Sequence, residues 1–540
     1  MVSFGQAWAW AKQAYKPTSG SLCAASGVAA DKFGSVYEVG YAQNPNIFGS
    51  DTINFNPSWF GMYLVKYDSA GNFIWLSKPI TGYKSHFITY SVATDIAGDV
   101  YVAGEFSDTL IWGKYQIITG AGGNMFLAKI NPSGNVIWLK QANSNGLGHS
   151  IAYSVSADNL GNEFITGSFS DTITIGSYIL KTVRPSVFLA RYDSSGNLVW
   201  AEQGLTSSSG TGYSVITGSN NIYITGIFNG TLSFGSQTVN GKSSVFLAKF
   251  DYSGNPIWLT SPDSANCTGC SVAMDNAGNI YVTGEFIDTI GFNKDTLKSD
   301  VGDVFVAKYS NAGNVIWAKQ TINIAGSFYG ASISIDNYNN IYISGSNWTI
   351  GVGVNPLKFL YDNDTLSVFS YNPGYASFVL KLDTSGRLQC GTLLGDRVAI
   401  YGAADPFGKG VYVVGSVSDS SFINPYSVYQ TAWPGPSATI AKWHGCDNVT
   451  GINEVTSNTE QVKVYPNPSD GVFTFQAIGR WPLANSQIEV YNVLGQKIFQ
   501  HSFSALRTTL DLSGQPAGIY LYRITSEKGE AIGSGKLIIK

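Results

Sequence analysis

Glu105 and Glu285 close two matching G-E-F segments. A pair of carboxylates is the minimum equipment for acid–base cleavage of a glycosidic bond. His86 and His149 stand at matching positions of two neighbouring repeats, and four positions further on each is followed by a tyrosine, Tyr90 and Tyr153. Tyr213 and Cys270 continue that tyrosine column in the next two repeats. These residue types would suit a polar and aromatic rim for a sugar, a peptide or a metal; the plainer alternative is loop residues with ordinary hydrogen bonds. Glu105 and Glu285 belong to the second and fifth repeats, so they are expected on opposite sides of any central channel, and no catalytic pair is assigned.

Other chemistry is thinly represented. Cys267-Thr-Gly-Cys270 has the spacing of half a zinc site, but no second such pair exists. A redox role would need a surrounding βαβ pattern, so a local disulfide or two buried thiols is expected. Cys390 and Cys446 fall in neighbouring repeats and could form a bridge, and with Cys23 the five cysteines cannot all pair within one chain. The four histidines, His86, His149, His444 and His501, accompany neither a G-x-S-x-G elbow nor an H-E-x-x-H helix. No catalytic residue, metal site or cofactor is assigned.

The elements that must position these residues are repeats. Trp10, Trp75, Trp138, Trp200, Trp258 and Trp317 recur at roughly sixty-residue intervals, and Cys390 takes the seventh such place. Before each later anchor runs an alternating segment: MYLVKYD, MFLAKIN, VFLARYD, VFLAKFD, VFVAKYS, SFVLKLD and ATIAKWH. One column is always basic (Lys66, Lys129, Arg191, Lys249, Lys308, Lys381, Lys442), and alternation predicts a solvated or salt-bridged position there. Earlier in each repeat, segments such as SVAMDNAGNIYVTGEF read as two strands joined by a tight turn. Gly98, Gly161 and Gly278 supply its positive φ, Asn339 stands in for glycine in the sixth repeat, and Asp95, Asp158 and Asp275 can bond the turn backbone. These loops are too short for a calcium site.

Four short strands per repeat, seven times over, predict an all-β, seven-bladed β-propeller. The seventh repeat has only three strands, and the chain opens on an orphan fourth, GQAWAWAKQA. That N-terminal strand is expected to complete the last blade and close the ring. The tight turns then lie on one face and the long connections on the other, where the candidate ligand-binding residues His86, Tyr90, Glu105, His149, Tyr153, Tyr213 and Glu285 gather. The recurrent G-N-x-Y-V-T-G and F-L-A-K-Y-D-x-S-G-N-x-x-W text resembles the SBBP-type seven-bladed propeller repeat family and, more loosely, the NHL propellers. The resemblance covers residues 1–446 and implies a fold, with no particular activity.

Composition narrows the partners. Charged residues make up only 13% of the 540, the net charge is −4, and no stretch is strongly basic. Nucleic acid, which needs clustered Lys and Arg, is therefore not expected. No apolar run approaches transmembrane length. The opening residues lack the charged-then-apolar pattern of a signal peptide, so a trimmed leader or an incomplete start is expected.

After Cys446 the text changes. Residues 447–461 are polar and read as a linker; residues 462–540 carry alternating strands with Gly and Pro turns, a small β-sandwich. Tyr465-Pro466-Asn467-Pro468, Gly471, the V-Y-N-V-L-G-Q segment at Gly495, Gly518-Ile519-Tyr520 and the basic end at Lys540 resemble the type A sorting domain of the type IX secretion system of Bacteroidetes. That resemblance implies recognition by the outer-membrane translocon, removal by a sorting peptidase, and release or attachment to surface lipopolysaccharide. The expectation is a secreted or cell-surface scaffold that binds a glycan or protein and is not an enzyme. The alternatives are a carbohydrate-active hydrolase or lyase with acids on the same face, and a structural surface-layer component.

Overall fold

The computed structural model describes residues 8–15, 23–43, 45–53, 61–81, 86–119, 122–144, 148–264, 266–323, 327–348, 357–361, 364–368, 375–395, 401–417, 421–423, 426–428, 437–444, 462–477, 486–492, 496–503, 507–525 and 531–540. Among them every regular element is a strand. The chain divides into two compact units, Met1–Asp447 and Asn448–Lys540.

In the first unit the described strands make seven antiparallel four-stranded sets. Six of them are consecutive in sequence, within residues 23–77, 87–144, 149–206, 209–260, 267–323 and 327–395. We label the strands of each set A to D; in the third they are His149–Ala157, Glu163–Ser170, Ser186–Tyr192 and Leu198–Thr206. The seventh set takes A, B and C from Tyr401–Ala404, Val411–Val417 and Ser437–Trp443, and its D strand is Trp8–Gln13, paired antiparallel with Ser437–Trp443. Strand A of each set touches strand A of the next, and strand A of the seventh touches that of the first.

The turns follow from their residues. In the A–B turns Asp Oδ1 accepts the backbone N–H groups two and four residues on, as Asp95 does from Ala97 and Asp99. Gly98 and Asn339 both adopt positive φ, 84° and 64°. The other carboxylate oxygen takes the hydroxyl of a strand-B tyrosine, Tyr101 to Asp95 at 2.8 Å and Tyr281 to Asp275 at 3.0 Å.

The basic column takes the salt-bridged form of the position that alternation predicts: Lys129 pairs with Asp95 and Asp99, Lys308 with Asp275 and Lys442 with Asp405. Lys66, Lys129, Lys308, Lys381 and Lys442 are buried. Each lies over a strand-B ring: Lys129 Nζ is 5.0 Å from the Tyr101 centroid, and Arg191 lies over both Phe164 and Tyr252. Several charged heads then reach the C–D turn of the next set, Lys66 to the Pro132 carbonyl and Lys308 to that of Thr384, while Lys442 stays within its own set on Tyr412 and Asp405. Lys129 also pairs with Asp99 at 3.2 Å. The long aliphatic stems and the neighbouring turn's carbonyls make this column a clamp between sets.

The tryptophan ladder is a second clamp to the same turns. Trp75, Trp200 and Trp258 donate their indole N–H to Pro132, Tyr252 and Asn311 of the following set, at 3.0, 3.0 and 3.2 Å. Each ring lies against the turn glycine, where an added Cβ on Gly134 or Gly254 would come within 3.0–3.2 Å of the indole. Trp10, from the N-terminal strand, takes the same place on Gly71 and bonds Ser69 of the first set. Cys390 pairs with Lys381 across strands C and D as Trp317 does with Lys308, so it occupies the ladder position, and it is disulfide-bonded. Its expected partner Cys446 lies outside the described residues.

The opposite end has a third tie. The B–C connections, which their length and variability suggest as loops, contain two-stranded hairpins such as Thr172–Ile175 with Tyr178–Lys181. In several sets the D strand, or a short strand just after it, adds to the next set's hairpin: Ala142 opposite Ile175, Leu205 opposite Ser233, Asp263 opposite Gly291, Thr321 opposite Tyr361. Tyr15, just beyond the N-terminal strand, bridges Ile47 of the first set in the same way.

In the second unit one apolar core, including Phe473, Phe475, Ile488, Val490, Ile524 and Leu537, is shared by a three-stranded and a four-stranded antiparallel sheet. Gly471 has φ 103°, and a Cβ there would meet Ser513 Cα at 2.4 Å. Tyr520 donates to the Pro516 carbonyl at 2.7 Å. Gly518 is described, whereas Gly495 lies outside the described residues.

Candidate functional site

The site begins with a glycine in strand B. Gly104, Gly167 and Gly226 each face a carbonyl of strand A so closely that a Cβ would meet Ile88 O at 2.1 Å, Ile151 O at 1.8 Å and Thr211 O at 1.9 Å. The close approach arises at a β-bulge, where two residues of strand A oppose one of strand B. In the second, third and fourth sets the unpaired residue of the bulge is Tyr90, Tyr153 and Tyr213 respectively. Freed from the ladder, these side chains meet one another: Tyr90 and Tyr153 centroids are 4.8 Å apart and Tyr153 and Tyr213 5.2 Å, both pairs tilted or edge-on. A bulge also occurs in the first, fifth and sixth sets, where the residues left out of the ladder are Ser26, Gly269 and Gly330.

Glu105 sits one residue beyond Gly104, buried, at the foot of this tyrosine row. Its Oε1 accepts the Tyr90 hydroxyl at 3.0 Å and lies 3.8 Å from His86 Nδ1. Its Oε2 is 3.1 Å from His149 Nε2. The two histidines come from adjacent sets and converge on one carboxylate. Burial pushes the Glu105 carboxyl up, but the hydrogen bonds from His149 and Tyr90 and the nearby imidazoles outweigh it and hold it below its ordinary range. Glu105 is therefore ionised at neutral pH. With Nε2 turned to the carboxylate, His149 keeps Nδ1 for another partner. Gly123 makes room for this ring, since a Cβ there would come within 2.7 Å of His149 Nε2.

The phenols stay protonated. Burial first, then the Glu105 charge, pushes Tyr90 far above the ordinary phenol range, and burial with Tyr213 takes Tyr153 up to about 12. The nearby Tyr401 phenol of the seventh set adds a small upward push at Tyr90, as Tyr41 of the first does at Tyr401.

Glu285 is not brought to this cluster. It is buried in the fifth set, accepts Thr268 Oγ1 at 2.7 Å, and burial raises its pKa despite that bond. Cys267 is a buried thiol, so the Cys267–Cys270 bridge is not formed. Among the described residues no three His, Cys, Asp or Glu side chains converge as metal ligands.

Residues 463–540 match the family described as the secretion system C-terminal sorting domain. The match supports export through the type IX secretion system to the cell surface or extracellular space. No helix among the described residues is long and apolar enough to cross a membrane. The chain is 24% identical to an uncharacterized WD repeat-containing protein of Acanthamoeba polyphaga mimivirus, over 60% of this chain and 29% of that protein. It thus spans less than a third of that relative's length. Among solved structures it is similar to a protein of unknown function from Dyadobacter fermentans (10% identity, 67% of this chain and 96% of that one, TM-score 0.36). It is also similar to the Synechocystis apocarotenoid oxygenase (10%, 78% and 96%, 0.35) and to PorZ of Porphyromonas gingivalis, a surface component of the type IX secretion system (10%, 98% and 99%, 0.17). At these scores the likenesses carry no statement about fold or activity.

Proposed function

We propose that residues 1–446 form a seven-bladed β-propeller of the SBBP type, closed by the N-terminal strand. It acts as a non-enzymatic binding module for a glycan or a protein. The seven four-stranded sets, the contact of the seventh strand A with the first, and the Trp10 and Tyr15 ties support closure. In this reading residues 447–461 are a linker and 462–540 are the sorting domain, handled by the translocon and removed by a sorting peptidase. The ligand seat is the tyrosine row around Tyr90, Tyr153 and Tyr213 with Glu105 and His149 at its foot. The observation that carries it is the convergence of buried Glu105, Tyr90 and His149 from two adjacent sets beside half-exposed aromatic rings. Tilted rings with polar edges suit the alternating apolar and hydroxyl faces of a sugar, or a peptide turn. The test is a glycan and protein array probed with the full chain and with Tyr90→Ala and Tyr153→Ala. Binding by the parent lost in both variants supports the reading, and binding retained in both overturns the seat.

The Glu105–His149 pair also favours a second reading, a carbohydrate-active hydrolase or lyase in which the carboxylate orients the imidazole as a base. Product release from polysaccharide by the full chain, abolished in His149→Ala, would favour it over the binding module.

A further inference from the structure

The Tyr-Pro-Asn-Pro segment of the second unit does a specific mechanical job. The strand Ala531–Ile539 lies at the edge of the four-stranded sheet, paired on one side with Gly518–Thr525. Its other side has outward-facing backbone groups at residues 536, 538 and 540, which an edge strand normally leaves open. All of these that the structure describes as bonded are taken by one short segment. Asn467 Nδ2 donates to the Lys536 carbonyl at 2.7 Å, and the Ile538 N–H donates to Asn467 Oδ1 at 2.9 Å. Ser469 continues the row, its N–H donating to the Ile538 carbonyl at 2.9 Å and its carbonyl accepting from the Lys540 N–H at 3.0 Å. A single side-chain amide thus imitates a strand residue, offering one donor and one acceptor at the spacing of a ladder.

We infer that Asn467 is a positioning residue: it clamps the final strand of the sorting domain, so that the export machinery meets this strand docked and edge-capped. This rests on the reading of residues 463–540 as the sorting domain. With its edge occupied, the strand is closed to addition of another strand and is read through its side chains. Asp at 467 would keep the acceptor for Ile538 but lose the donor to Lys536; Ala would lose both.

The experiment uses the full chain. Hydrogen exchange of residues 536–540 is measured by mass spectrometry in the parent, Asn467→Ala and Asn467→Asp, and export of each is measured in a host with a type IX system. Loss of two hydrogen bonds predicts exchange faster by about ten-fold or more in the Ala variant, with an intermediate effect for Asp. Exchange in Val472–Ala477 should be unchanged, which separates unclamping from unfolding, and export should fall in the same order as protection. Unchanged exchange at 536–540 overturns the clamp. Faster exchange with normal export overturns its positioning role. Export that survives removal of residues 463–540 defeats the sorting reading instead, whatever the clamp does.

Discussion

The indole N–H of Trp10 donates to the carbonyl of Ser69 across 3.1 Å, joining a strand of the seventh set to a turn of the first. The two residues are fifty-nine apart in sequence, and the same bond recurs between each earlier tryptophan and the set after it wherever the indole is bonded. Trp10 is buried, together with Tyr412, Ile440, Val36 and Tyr63, in a cluster shared by the first and last sets. Trp10→Ala is expected to cost about 3 kcal/mol, the usual order for a buried tryptophan. Removal of residues 1–15 deletes the whole D strand and should cost more. Thermal melting of both variants checks this; an unchanged midpoint in the deletion would mean that the N-terminal strand does not hold the ends together.

Gly104→Ala should destabilise more than a strand glycine normally would. Relative to Gly, Ala ordinarily favours a strand by up to about 1 kcal/mol. Here its Cβ would meet Ile88 O at 2.1 Å and the Phe126 ring at 2.8 Å, so the bulge must shift. The expected result is a lower melting midpoint and a changed near-ultraviolet tyrosine signal, since Tyr90 is the residue the bulge presents.

Glu163 offers a pH prediction. It is fully buried in strand B of the third set, and burial raises its pKa to about 8 against the opposing pull of the Lys129 charge. At the equivalent strand-B position the other six sets have Val36, Val100, Ile222, Ile280, Ile341 and Val411. A carboxyl with a raised folded-state pKa exacts no penalty below the unfolded value near 4.5, where both states hold the proton. Its stability contribution is lost as pH rises through about 8, by at most ~5 kcal/mol for that shift. Glu38, raised to about 7 by burial, acts in the same direction. Glu163→Val should therefore flatten the fall in stability between pH 5 and 9 and leave the protein more stable at the alkaline end. Denaturant melts across that range measure it; a parallel shift at every pH would contradict it.

Cys390 should be found joined to Cys446. Cys23 and Cys267 are thiols, and Cys270 lies on a first strand whereas Cys390 lies on a fourth. Several strand spacings separate those positions, beyond the Cα–Cα reach of a disulfide. Peptide mapping without reduction identifies the pair. Reduction should cost about 4 kcal/mol on the chain-entropy estimate for a loop of this length.

The repeat pattern was legible because its markers are local. A tryptophan, a turn aspartate and a turn glycine can each be read in one segment, although the tryptophan's bond goes to the turn of the following set. The tyrosine column was legible for the same reason, since Tyr90, Tyr153 and Tyr213 are aligned by counting back from the turn. The partnership of Glu105 with His149 was not. It depends on how far one set is offset against the next, and no residue in either segment encodes that distance. The ion pairs of the basic column fit its expected salt-bridged character, but its burial was not legible, because alternation tells only which side of a strand a residue is on. Lys129 is on the side that alternation gives it, yet that side is covered by Tyr101 and by the turn of the following set.

The bulge and its glycine lie wholly inside one repeat. A gene segment that is duplicated therefore carries with it a ready outlet, a position excused from backbone pairing and turned toward its counterparts in adjoining copies. What fills the outlet differs from copy to copy: serine stands at 26, tyrosine at 90, 153 and 213, glycine at 269 and 330. The residue at that position can change by one codon per copy while the backbone framework stays intact.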